Sequence, residues 1–229
     1  MWRLILLLVF IAGCQGTSEE DPERYGTEGK VSIIDWIDLV KFNGLSYESA
    51  YKLVVDDPDM VGGVVGEVEF NVDKNVTNPS YQMVSGDATY LDKDTKLYRI
   101  KGQPKMLAVE SKEEINGFKI YDSSSKSWHF KDLDPTSVEK IGLYHDQQLI
   151  REIEGGRDIR DFIELINQGD EAPGYTPSHE RKVYTMVFHT NEGVARQYRV
   201  YENSNVWYWH PWDTVLLPDS VGEWFTLYE

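Results

Sequence analysis

Cysteine is almost missing: the 229-residue chain holds one, Cys14, so no internal disulfide framework can staple it. Basic side chains are scarce too. The 23 Lys and Arg face 39 Asp and Glu, a net charge of −16, and a field of that sign repels a polyphosphate, which excludes nucleic acid as a partner. Long apolar runs are lacking beyond the first dozen residues, and a mean hydropathy of −0.47 excludes a multi-span membrane protein. The chain also has no GxSxG elbow, no HExxH, no phosphate-cradling glycine loop and no EF-hand ligand series. Aromatic residues, by contrast, make up 13% of the chain. That share excludes a disordered acidic tail, and the length suffices for a buried core in one large or two small domains.

The one long apolar run lies at the amino terminus. Met1, Trp2 and Arg3 give a short positive start, and residues 4–12 are uninterruptedly apolar. At about 1.5 Å of rise per residue the run is too short to cross a ~30 Å hydrocarbon layer, and it reads as a secretion signal. It ends in Ile11, Ala12, Gly13 and Cys14, and these four residues resemble the lipobox of bacterial lipoproteins. The resemblance implies that the Cys14 thiol is joined to diacylglycerol, that cleavage removes residues 1–13, and that the body stands on the outer, extracytoplasmic face of the cell membrane. Two acyl chains at ~0.8 kcal/mol per buried CH₂ give on the order of 20 kcal/mol of gross anchoring. Gln15 stands where an Asp would resemble the inner-membrane retention signal of Gram-negative lipoproteins, so the envelope type stays open. The general style is similar to uncharacterised lipoproteins of Gram-positive, Bacillus-type bacteria. With its sulfur in a thioether, the chain would have no thiol for Cys–His catalysis or for zinc. Residues 14–30 are polar and without apolar period, the pattern of a flexible tether, and their carboxylates disfavour close docking on an anionic membrane.

From residue 31 the texture becomes β-rich. Residues 31–40 read as a strand ahead of Asn43 and Gly44, a pair suited to a type I′ hairpin. Over 64–72, Val64, Val68, Phe70 and Val72 share one parity, and Glu67, Glu69 and Asn71 share the other, predicting a strand with one wet face. Further strands are expected at 96–101, 106–110 and 118–121. A turn-rich stretch at 123–135 then marks a module boundary. Beyond it, paired strands at 137–144 and 148–153 precede Ile159, Phe162, Ile163 and Ile166, whose spacing is one apolar stripe of a helix. A second hairpin at 183–189 and 194–201 turns around Asn191, Glu192 and Gly193. The expected fold is α+β: a β-rich module over 31–131 followed by a small ββαββ-type plait over 135–229.

The candidate chemistry is concentrated in Trp207, Tyr208, Trp209, His210 and Trp212. In a strand, Trp207 and Trp209 share one face, and Tyr208 and His210 the other. A flat pair of indoles stacks on sugars, on a Pro-rich peptide or on a cation; the favoured reading is that one pair fills the core under the Ile159 helix and the other is ordinary sheet surface, because large aromatics dominate small cores. His129, His145, His179, His189 and His210 are scattered, and Asp56, Asp57, Asp59, Asp92 and Asp94 read as turn carboxylates. No cofactor, resident metal or catalytic constellation is expected. The chain therefore reads as a lipid-anchored binding or interaction protein, with the membrane as one partner through Cys14 and an envelope polysaccharide or protein as another. The alternative is a cell-envelope hydrolase using paired carboxylates, with His210 and Asp213 as further candidates.

Overall fold

Asn43 and Gly44 both take positive φ, 48° and 76°, and close a hairpin between β1 (Leu39–Phe42) and β2 (Leu45–Ser49). The computed structural model describes residues 35–177, 180–211 and 213–226. The expected signal segment, Cys14 and the expected tether lie outside these residues, as do 31–34, His179 and Trp212. The hairpin is followed by β3 (Leu53–Val55), β4 (Val61–Glu67), β5 (Phe70–Asn71), β6 (Asp87–Ala88), β7 (Lys96–Ile100), β8 (Gln103–Glu110) and β9 (Phe118–Asp122). All of these except β3 form one sheet, in the order β4-β7-β8-β9-β2-β1-β6-β5.

The strand expected over 64–72 is broken. β4 ends at Glu67, and Val72 opens a single helical turn, α1 (Val72–Asn75), for which the Asn71 side chain accepts a hydrogen bond from the Lys74 amide. An Asn side chain that competes for backbone groups favours such a cap over a continuing ladder. Val68, Phe70 and Val72 are buried and Glu67 and Glu69 exposed as parity requires, whereas Asn71 is buried and Val64 exposed against it. In β8 the four residues Met106, Leu107, Ala108 and Val109 are all buried, because both faces of the sheet are covered there.

The second sheet contains β10 (Val138–His145), β11 (Gln148–Glu154), β12 (Asp170–Glu171), β13 (Lys182–Thr190), β14 (Val194–Asn203), β15 (Val206–Trp209) and β16 (Val215–Leu216), in the order β11-β10-β13-β14-β15-β16-β12. Its eighth strand is β3, which pairs antiparallel with β14. The Ile159 stripe forms α2 (Gly156–Asn167) as expected, and Ile159, Phe162, Ile163 and Ile166 are all buried against one face of this sheet. A short α3 (Gly222–Phe225) adds Phe225 to the same core.

The α+β expectation is overturned. The molecule is mostly β, two sheets of eight strands in a sandwich or half-barrel arrangement, and among the described residues α2 is the one helix longer than a single turn. Local alternation located the hairpins of the second half correctly. It could not show that β3, β12, β15 and β16 extend the same sheet, because strands of two to four residues carry too little periodicity to declare a partner. The sheets share core residues: Leu53, Val55 and Val194 cluster with Ile100, Met106, Ala108 and Ile120 from the first sheet, and Val54, Val187 and Ala195 cluster with Ile115.

Candidate functional site

β14 is ten residues long, and one of its edges is split. Along one side it pairs with β13; along the other, residues 194–196 pair with β3 and residues 200–203 with β15. The stretch between these two partners, Gln197, Tyr198 and Arg199, faces the turn that joins β2 to β3. Gln197 fastens that turn: its amide donates to the Lys52 carbonyl (2.9 Å), and its Nε2 donates to the carbonyls of Tyr51 (3.0 Å) and Leu53 (3.3 Å).

A cavity of about 390 Å³ opens at the split, inside the range of small-ligand sites. Among the described residues it is lined by Tyr51, Lys52, Gln197, Tyr198, Arg199, Tyr201, Trp209 and His210. None is a carboxylate, although acids outnumber bases 39 to 23 in the chain. Tyr51 is 74% exposed, the most open large apolar side chain of the described residues. Tyr201 stacks on Tyr208 (5.1 Å, 19°), and the Arg181 guanidinium lies 4.9 Å from its ring centre. Partial desolvation of its ring, with Arg181 second, pushes the His210 imidazole below its ordinary value against the pull of Asp213, so near neutrality His210 is a hydrogen-bonding group and not a cation. Glu114, half-buried, has its carboxyl pushed up by that burial against a hydrogen bond from Gln197, and it does not line the cavity. Burial pushes the Tyr198 hydroxyl up to about 12, with Arg196 pulling the other way.

A second cavity, about 350 Å³, shares Tyr51 and Lys52 with the first and is lined further by Glu48, Asp122, Lys126, Trp128 and His129. Trp128 is flanked by the Lys126 ammonium at 3.8 Å and the Arg196 guanidinium at 5.2 Å from its ring. Its Nε1 reaches Asp122 at 3.4 Å, a carboxylate that also accepts from the Ser124 amide and hydroxyl.

The aromatic segment singled out in the sequence is divided by its strand. Trp207 and Trp209 share a face, as parity requires, and both are buried in the core under α2: Trp207 stacks on Phe225 (5.1 Å, 21°), and Trp209 meets Phe130 edge-on at 4.8 Å. Tyr208 is fully buried on the opposite face, while His210 is exposed. The indoles thus form no open platform; Trp209 and His210 reach the cavity wall, and Trp212 lies outside the described residues. Enclosed Trp209 Nε1 has no hydrogen-bond partner among the described residues.

His210 and Asp213 do not pair directly: His210 Nδ1 lies 3.2 Å from the Thr214 hydroxyl, and Asp213 accepts from the Thr214 amide. Members of the acidic clusters are engaged within the fold, with Asp57 capping a turn at Asp59, Asp92 paired with Lys74 and Asp56 joined to His189. Among the described residues no three His, Cys, Asp or Glu gather as a metal site, and no helix is long and apolar enough to cross a membrane. Tyr51, Lys52, Gln197 and Arg199 were not visible as candidates in the sequence. Only the pairing of β3 with a strand about 140 residues away brings them together. The chain matches no family model, no curated protein and no solved structure.

Proposed function

We propose that the protein is a lipid-anchored, extracytoplasmic binding protein, tethered to the cell membrane through diacylglycerol on Cys14, with its ligand site at the split edge of β14. One observation carries the ligand site: in a chain of net charge −16, the cavity there is lined by cationic, aromatic and amide side chains and by no carboxylate among the described residues. Such a lining departs from the chain's average in the direction that recognition requires. The anchor rests on the lipobox resemblance of Ile11, Ala12, Gly13 and Cys14. The tether would let the cavity sample polymer of the envelope near the membrane while the anchor stays in place.

The test has two arms. Native protein labelled with radioactive palmitate is expected to carry the label and partition into detergent, and Cys14→Ser to lose both. An unlabelled, aqueous wild type refutes the anchor. The same lipidated protein is expected to be retained on purified envelope polysaccharide, with retention lost in Tyr51→Ala; equal retention of the variant refutes the site.

A further inference from the structure

The chemistry of the cavity narrows what it takes, an extension that rests on the binding reading above. Lys52 and Arg199 bring two cations to its wall, which no carboxylate of the described residues lines; Glu48 and Asp122 line the neighbouring cavity that shares Tyr51 and Lys52. The Lys52 ammonium stands over the Tyr51 ring, 5.7 Å from its centre, so one turn presents a charge together with an exposed aromatic side chain. That turn is not slack, because Gln197 holds the carbonyls on either side of Lys52. A wall fixed before the ligand arrives loses less ordering entropy on binding.

Charge alone would be a poor basis for recognition here. Exposed ion pairs are weak and screened by salt, and the surrounding acidic surface repels a simple anion before it arrives. The aromatic face offsets this by adding a contact that salt does not screen. A ligand that uses both must carry an anionic group beside a flat or ring-shaped apolar face, with hydroxyls for the His210 imidazole. We infer that the cavity binds an acidic pyranose, a sugar ring bearing a carboxylate or a phosphate, with Lys52 and Arg199 on the charge and Tyr51 against the ring.

Four soluble probes separate the elements of this inference: trigalacturonate (ring and carboxylate), glucose 6-phosphate (ring and phosphate), maltotriose (ring without charge) and glycerol 3-phosphate (charge without ring). They are titrated calorimetrically into full-length lipidated protein in detergent at low and high salt. At least one of the first two is expected to bind about tenfold more tightly than either control and to weaken with salt; which of the two it is tells carboxylate from phosphate. Arg199→Gln and Tyr51→Ala are each expected to reduce that affinity about tenfold with the melting temperature unchanged, as both side chains are exposed. Maltotriose binding equally well makes the site a neutral-sugar site, and glycerol 3-phosphate binding equally well makes it a plain anion site; either overturns the inference, as does silence from all four probes. Retention on envelope polysaccharide through Tyr51 distinguishes the failures: if it persists, only the ligand class is wrong, and if it is also absent, the binding reading falls with it.

Discussion

Asp56 and His189 share a hydrogen bond of 2.5 Å although 133 residues separate them. Asp56 directly follows β3, and His189 lies near the end of β13 with its ring almost wholly enclosed. Beside them Lys140, the register partner of His189, is paired with Glu152 at 2.8 Å. Removing the enclosed member of this part-buried pair loses its packing and leaves Asp56, whose side chain is 26% exposed, with less to bond, so His189→Ala is expected to lower unfolding free energy by about 1–3 kcal/mol. Lys74→Ala, which removes a pair whose side chains are 62% and 68% exposed, is expected to cost under about 0.5 kcal/mol. Urea denaturation of both variants checks the contrast, and equal losses would remove the structural role of the His189 contact.

Trp209 lies between Phe130 and Tyr198 in the core beneath α2. Trp209→Ala is therefore expected to destabilise by about 3–5 kcal/mol, through lost burial and the cavity left behind. A variant that unfolds at the wild-type urea midpoint would show that the indole is dispensable to packing.

Gly193 closes the β13–β14 turn with φ +77°, and a Cβ there would meet Met60 Cε at 2.6 Å and the Lys101 carbonyl at 3.3 Å, both from the first half of the chain. Backbone strain and the clash act together, so Gly193→Ala is expected to cost about 1–3 kcal/mol. Gly174→Ala, where the added methyl meets open space, serves as the control, and thermal melts compare the two.

Stability is expected to fall on the acid side in two stages. The folded state holds His210 below its ordinary 6.5, so as pH drops below that value the unfolded chain takes up the proton first and stability declines. The second stage involves Glu202, which accepts from the Asn205 amide and pairs with Lys182, and Glu152, which pairs with Lys140; both carboxyls lie below 4.5. Their contribution is complete above that value and is lost as pH falls through the depressed ones. Urea midpoints from pH 8 to 3 check this: His210→Gln removes part of the first decline and Glu202→Gln part of the second.

Features written in local periodicity were readable from the sequence. The Asn43–Gly44 turn, the stripe from Ile159 to Ile166 and the alternation of Trp207 and Trp209 against Tyr208 each depend on neighbours a few residues apart. Leu53, Val54 and Val55 carry no such signal: three buried apolar residues without alternation match any partner, and theirs lies at 194–196. The candidate site was hidden for the same reason. Arg199 looks like an ordinary outward-facing residue of a strand and Tyr51 like a turn residue; only the long-range pairing makes them neighbours. Parity likewise fixed which indoles travel together but not which face α2 would cover.

The three residues of β3 act as a rivet through both sheets. A pull entering from the amino-terminal side loads β1 and β2 and then, within a few residues, the β3–β14 ladder, whose antiparallel bonds would have to be peeled or sheared before the far sheet could part from the near one. For the same reason a protease cut in the turn-rich stretch at 123–135 would leave two fragments still clasped together.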